Sequence, residues 1–171
     1  DVELLLCFCL QKERSYFRAW PEAEVTADQQ QRFQQLLERR LNGEPVAYLI
    51  GERGFWSLDL AVNSSTLIPR PETELLVEKT LTLLDNKHAA TVLDLGTGTG
   101  AIALALASER PAWMVEACDV APAAVALAQS NQRKYALDNV RIFQSDWFES
   151  VTCDRFDLVV SNPPYIDPDD I

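Results

Sequence analysis

Histidine is nearly absent: His88 is the single one in 171 residues, and it stands in the polar turn Asp85-Asn86-Lys87-His88. That setting fits a solvated loop side chain rather than a general base, so serine–histidine and cysteine–histidine catalysis lose most of their support. The four cysteines, Cys7, Cys9, Cys118 and Cys153, form no CxxC pair, so no zinc site and no other metal is expected. With neither a signal-peptide pattern nor a disulfide framework in view, they are expected to be reduced core thiols of a cytoplasmic protein. Long apolar runs are missing too. Residues 4–10 and 101–107 are the longest purely apolar stretches, far short of the roughly 20 residues that span a bilayer, and no membrane segment is expected. Basic residues are scarce: 15 Lys and Arg face 26 Asp and Glu, for a net charge of −11. Such a surface repels phosphate backbones, so direct nucleic-acid binding is not expected.

What is present describes a chain that folds. Hydrophobic residues are 47% and charged residues 24%, close to the averages for globular proteins, and the length predicts one domain or one domain with a small partner module. The chain starts without Met inside the periodic run Val2, Leu5, Leu6, Cys9, Leu10, and it stops after Asp167-Pro168-Asp169-Asp170; a fragment of a longer protein is expected. Two textures meet near residue 88. Before it, Thr26-Ala27-Asp28-Gln29 reads as a capping box, Phe33, Leu36, Leu37 and Leu41 recur at helical spacing, and Asn42-Gly43 offers a left-handed stop. Residues 55–62 partly alternate and predict a hairpin or edge strand. Ile68-Pro69-Arg70-Pro71 must run extended, and Pro71 is expected to open a helix over 72–84. After residue 88, β-rich runs at 91–95, 114–118, 140–143 and 156–160 are separated by helical runs at 101–108 and 121–135, the βαβ pattern of an α/β doubly wound parallel sheet.

Directly after the first of those strands stands Asp94-Leu95-Gly96-Thr97-Gly98-Thr99-Gly100. Glycines permit a tight turn and close ligand approach, and the following helix N-terminus is expected to supply unpaired N–H donors. Gly96, Thr97, Gly98, Thr99 and Gly100 are therefore candidate cofactor-binding residues. Gly96, Gly98 and Ala101 also satisfy the dinucleotide pattern. Asp119 ends the next strand about twenty residues on, placed to accept from both ribose hydroxyls, a group common to NAD and S-adenosylmethionine. After the third strand, Trp147 is a candidate face for an adenine ring, with Asp146 beside it as a weaker acceptor. The fourth strand runs into Asn162-Pro163-Pro164-Tyr165. Proline removes N–H donors, so this turn is rich in acceptors: the Asn162 side-chain oxygen and the Pro163 carbonyl can take the two hydrogens of a planar –NH2 group, with Tyr165 packed on its face. An amide nitrogen is a poor nucleophile, and positioning would have to supply much of the catalysis.

These segments resemble the HemK/PrmC-type protein-(glutamine-N5) methyltransferases, which act on peptide chain release factors. The resemblance runs through Gly43-Glu44-Pro45-Val46-Ala47-Tyr48-Leu49, Phe55-Trp56, Leu67-Ile68-Pro69-Arg70-Pro71-Glu72-Thr73-Glu74, the glycine loop, Ser145-Asp146-Trp147-Phe148 and Asn162-Pro163-Pro164-Tyr165. It implies a helical substrate-recognition domain over 1–50, a hairpin linker over 51–70, and over 71–171 the first part of a class I (Rossmann-like) methyltransferase domain. That sheet would be C-terminally incomplete here, since the family's seven strands exceed the four present. S-adenosyl-L-methionine is implied at residues 96–100, Asp119, Trp147 and Asn162. The implied acceptor is the GGQ glutamine of class I release factors, held by Asn162, Pro163, Pro164 and Tyr165, of which Asn162, Pro163 and Tyr165 are the candidate catalytic residues. Rival readings are an adenine-N6 nucleic-acid methyltransferase, a glutamine methyltransferase of a ribosomal protein, a nicotinamide dehydrogenase and a non-catalytic binding module.

Overall fold

A computed structural model describes residues 1–163, which fall into two compact units, Asp1–Glu52 and residues 53–163. In the first unit, helices α1 (Val2–Leu10), α2 (Arg14–Ala19), α3 (Ala27–Leu41) and α4 (Val46–Ile50) follow one another. The expected capping box opens α3: Gln29 N–H donates to the Thr26 hydroxyl at 3.3 Å and Thr26 N–H to Gln29 Oε1 at 3.0 Å, so two orphan donors of the first turn are satisfied reciprocally. After α3, Gly43 takes φ +96°, a conformation that costs a residue without Cβ little. Leu5, Cys9, Leu36 and Leu49 form this unit's core.

The second unit begins as the hairpin β1 (Glu52–Phe55) and β2 (Leu58–Ala61), turning through Trp56 at φ +55°. Glu74 Oε1 accepts the Trp56 N–H at 2.8 Å and pins that turn. Phe55, Leu58 and Leu60 bury into the unit's main core, so the segment expected to link two domains packs as part of the second. The outer edge of β2 is closed by side chains of a helix. Asn131 and Tyr135, four residues apart on α7 (Pro122–Tyr135), bond the backbone N–H and C=O of Ala61 and Asp59 respectively. Four residues of helix rise about 6 Å and two residues of strand about 6.6–6.8 Å, so an i, i+4 pair matches alternate residues of a strand. An edge otherwise open to pairing is thereby covered.

The expected helix over 72–84 has two parts, a 3-10 turn at Pro71–Thr73 and then α5 (Glu74–Leu83); a tightened first turn is a common way to start a helix. Four parallel strands follow, β3 (Thr91–Leu95), β4 (Met114–Asp119), β5 (Val140–Gln144) and β6 (Leu158–Ser161), in the order β5-β4-β3-β6. Their side chains alternate between two faces. Val92, Val115, Ala117, Val140, Ile142 and Val160 join the core that includes α6 (Ala101–Glu109), whose residues 101–107 are all buried. Its alanines let a helix apolar on every side lie close to the sheet. Leu93, Leu95 and Cys118 face the other way, under Phe143, Val151 and Phe156. From β3 the chain steps through β4 to β5 on one side and returns to place β6 on the other. Strand order thus reverses between β3 and β6, where ligands of open α/β sheets sit, beyond the strands' carboxyl ends. No helix among the described residues is long and apolar enough to cross a membrane.

Candidate active site

At that reversal opens a cavity of about 980 Å³, at the upper end of the usual small-molecule range. Gly96, Thr97, Gly98, Thr99, Asp119, Asp146, Trp147, Asn162 and Pro163 all line it. Pro164 and Tyr165 lie outside the described residues. Gly100 is set back from the wall and buried. A Cβ there would stand 3.1 Å from Leu104 Cδ1 and 3.3 Å from the Ala128 Cβ, at φ +83°, so its lack of a side chain serves the closure of α6 on α7. At Gly96, by contrast, a Cβ would meet nothing within 4 Å, and the backbone there faces open space.

Within the glycine loop, ahead of the helix, most amides are already paired. Gly96 and Thr97 both donate their N–H to the Cys118 carbonyl at 2.9 Å, and Gly100 donates to Thr97 O at 2.9 Å. Gly98 N–H donates to Asp119 Oδ2 at 2.9 Å. Four amides of the loop, those of Gly96, Thr97, Gly98 and Gly100, are therefore already paired within the chain. The other oxygen of Asp119 accepts from Ala121 N–H at 3.0 Å. Each carboxylate oxygen keeps a second lone pair for a ligand hydroxyl.

Charge agrees with the donor pattern. Among the described residues, Glu72, Asp119 and Asp146 line the cavity with a single guanidinium, Arg70. Beneath the loop, Asp94 is 1% exposed and accepts the Thr97 hydroxyl at 2.7 Å, while its Oδ1 lacks a well-formed hydrogen bond. Burial pushes its carboxyl up to about 6, against the pull of the Thr97 hydroxyl and the Ala103 N–H, with the charge of Asp119 adding to the rise. Burial, with Asp94 and Asp119 close by, likewise pushes the Cys118 thiol up to about 11, so that cysteine is an inert neighbour rather than a nucleophile.

Trp147 is 57% exposed and takes φ +47°, uncommon for a bulky residue. Its carbonyl is held by the Ser145 hydroxyl at 2.9 Å, and that hydroxyl in turn accepts Ser150 N–H at 3.0 Å. The ring is thus a rim side chain, not a core one. On the opposite side, the Ser161 hydroxyl donates to Leu95 O at 2.8 Å and ties β6 to β3 where the crevice begins. Asn162 follows, exposed, with Nδ2 donating to Thr73 Oγ1 at 3.2 Å.

Sequence reasoning assigned no site role to the wall made by residues 65–70, 72, 73, 75 and 76. The available signal was the run Ile68-Pro69-Arg70-Pro71-Glu72-Thr73-Glu74, too rich in proline and charge for either a strand or an ordinary helix start. Asn131 was also missed. It is 1% exposed, and besides Ala61 it holds the Thr99 carbonyl at 2.9 Å, fastening the hairpin to the glycine loop.

Residues 71–170 match the family described as Methyltransferase small domain, and residues 1–51 match the PrmC N-terminal domain. Over 170 residues the chain is 57% identical to the Release factor glutamine methyltransferase of Shewanella oneidensis and 55% identical to that of Salmonella typhimurium. These alignments cover 99% of this chain but 59% and 61% of those proteins, so the chain spans about three-fifths of their length. The delta-N METTL16 MTase domain shares the fold, with a TM-score of 0.57 at 19% identity over 65% of this chain and 54% of that one. The parallel sheet with its order reversal is accordingly the Rossmann-like methyltransferase fold, and the chain belongs to the methyltransferase small domain family, preceded by a PrmC N-terminal domain.

Proposed function

We propose that this chain is part of an S-adenosylmethionine-dependent enzyme that methylates the side-chain amide nitrogen, N5, of the GGQ glutamine in class I peptide chain release factors. The observation that carries the reading is the pairing inside the glycine loop. With four amides committed and carboxylates at the wall, the cavity suits a cationic nucleoside better than the pyrophosphate of a dinucleotide. The curated names of its relatives point the same way. The residues present fit the cofactor. Open space at Gly96 admits close approach, Asp119 offers acceptors to ribose hydroxyls, and the Trp147 ring offers an apolar face to adenine.

S-adenosylmethionine supplies a methyl group on a sulfonium, an electrophile in its own right. The chain's task is then to present a weak nucleophile. Asn162 Oδ1 and the Pro163 carbonyl accept the two N–H groups of the glutamine amide, which fixes its plane and turns the face of the nitrogen toward the cavity. Neither group is a base at neutral pH, so they orient the amide and hold its protons until one passes to water. Orientation of this kind accounts for about 7–11 kcal/mol in well-aligned intramolecular reactions. The helical unit Asp1–Glu52 carries no such chemistry and is assigned to recognition of the folded protein substrate.

Calorimetry of the intact protein tests the cofactor reading: S-adenosylmethionine should bind and NAD should not. Tighter binding of NAD would overturn it.

A further inference from the structure

Thr73 stands where the 3-10 turn Pro71–Thr73 passes into α5, in right-handed helical conformation, and its hydroxyl makes no capping bond to the helix. Here the oxygen instead accepts from Asn162 Nδ2 at 3.2 Å, across 89 residues of sequence. Both residues line the same cavity, Thr73 half-buried and Asn162 exposed. The contact is thus a tether from the wall before the sheet to the end of β6.

We infer that Thr73 is a positioning residue that holds the Asn162 side chain in its amide-gripping orientation, an inference that rests on the function proposed above. An exposed asparagine at a strand end has two free side-chain torsions, and a grip that must be ordered anew for each acceptor loses rate. With Nδ2 committed to Thr73, Oδ1 is the end of the amide left to accept from the substrate nitrogen. Threonine suits the post because its β-branch restricts χ1, and its hydroxyl is anchored on a helix start that Glu74 ties to the hairpin turn. Thr73 need not touch the reacting atoms to act this way.

The test is a double-mutant cycle in the intact protein, with labelled S-adenosylmethionine and a class I release factor as acceptor, read by single-turnover rate and by S-adenosylmethionine affinity. Thr73→Val keeps the shape and loses the hydroxyl. Its methyl-transfer rate should fall about tenfold, the worth of one hydrogen bond, with cofactor affinity and melting temperature unchanged. Thr73→Ser should restore the rate to within about threefold of wild type, and Thr73→Ala, measured in parallel should the valine variant misfold, should match the valine loss. In an Asn162→Ala background Thr73→Val should change nothing further, because its effect passes through Asn162. A Thr73→Val rate equal to wild type while Asn162→Ala is crippled would overturn the inference and leave the proposed function standing, as would losses that multiply in the double mutant. An Asn162→Ala variant that transfers methyl at the wild-type rate would instead overturn the amide-gripping reading and the inference with it.

Discussion

Replacing Asn131 by leucine should cost far more stability than its single side chain implies. Its three hydrogen bonds, to Ala61 N–H at 2.8 Å, Ala61 O at 3.1 Å and Thr99 O at 2.9 Å, all lie where water is excluded or scarce. Asn131→Leu keeps the volume and leaves three backbone groups without partners. Each unsatisfied group costs about 1–3 kcal/mol. Thr99 is buried and Ala61 half-buried, so the total is roughly 3–5 kcal/mol, a large share of the 5–15 kcal/mol that holds a typical domain folded. Tyr135→Phe is the built-in comparison. It removes the analogous pair on Asp59, but there the backbone is exposed, water substitutes, and the cost should be about 1 kcal/mol or less. Urea unfolding of the intact protein measures both. Because Asn131 also fixes the Thr99 carbonyl, Asn131→Leu should weaken S-adenosylmethionine binding even at temperatures where it stays folded. A loss below 1 kcal/mol for Asn131→Leu, or equal losses for the two variants, would refute the account of the edge.

Three further outcomes follow from the site. The Asp94 carboxyl titrates at about 6 when folded against an ordinary 3.8, so between those values the folded state binds more protons than the unfolded one and stability falls as pH rises; the penalty reaches about 3 kcal/mol at neutral pH. Asp94→Asn should therefore gain on wild type in melting temperature between pH 4 and pH 7, and a difference independent of pH would contradict this. Gly100→Ala forces a Cβ against Leu104 and Ala128 at φ +83° and should lower stability by roughly 2–4 kcal/mol; a wild-type denaturation midpoint would show that the loop yields. Asp119→Ala removes the acceptor for the Gly98 and Ala121 amides as well as the proposed ribose contact, and calorimetry should find S-adenosylmethionine affinity lowered by roughly 10- to 100-fold; unchanged affinity would remove Asp119 from the site.

Local pattern carried much of this architecture. The capping box at Thr26, the apolar β-rich runs and the glycine loop each depend on neighbours within a few residues, and each stands within one or two residues of the expected place. What escaped the sequence is long-range. Nothing local tells Asn131 and Tyr135 that a strand edge seventy residues earlier needs partners, nor Thr73 that an asparagine 89 residues later will take its hydroxyl. The pairing inside the glycine loop was hidden for the same reason. Its amides look unpaired along the chain, and only the parallel pairing of β3 with β4 brings the Cys118 carbonyl and Asp119 to meet them. The start at Pro71 was legible, because proline's fixed φ suits a first helical position and keeps Arg70 before it extended.

The central claim is that a cationic nucleoside cofactor in this cavity serves an amide acceptor held at Asn162. Its most direct test is to incubate the intact protein with isotopically labelled S-adenosylmethionine, a class I release factor and, in competition, adenine-containing DNA and RNA, and to locate the label by mass spectrometry. The account predicts one methyl group on the side-chain nitrogen of the GGQ glutamine and none on nucleic acid. Label on an adenine amino group, or on any residue of the release factor other than that glutamine, would contradict it.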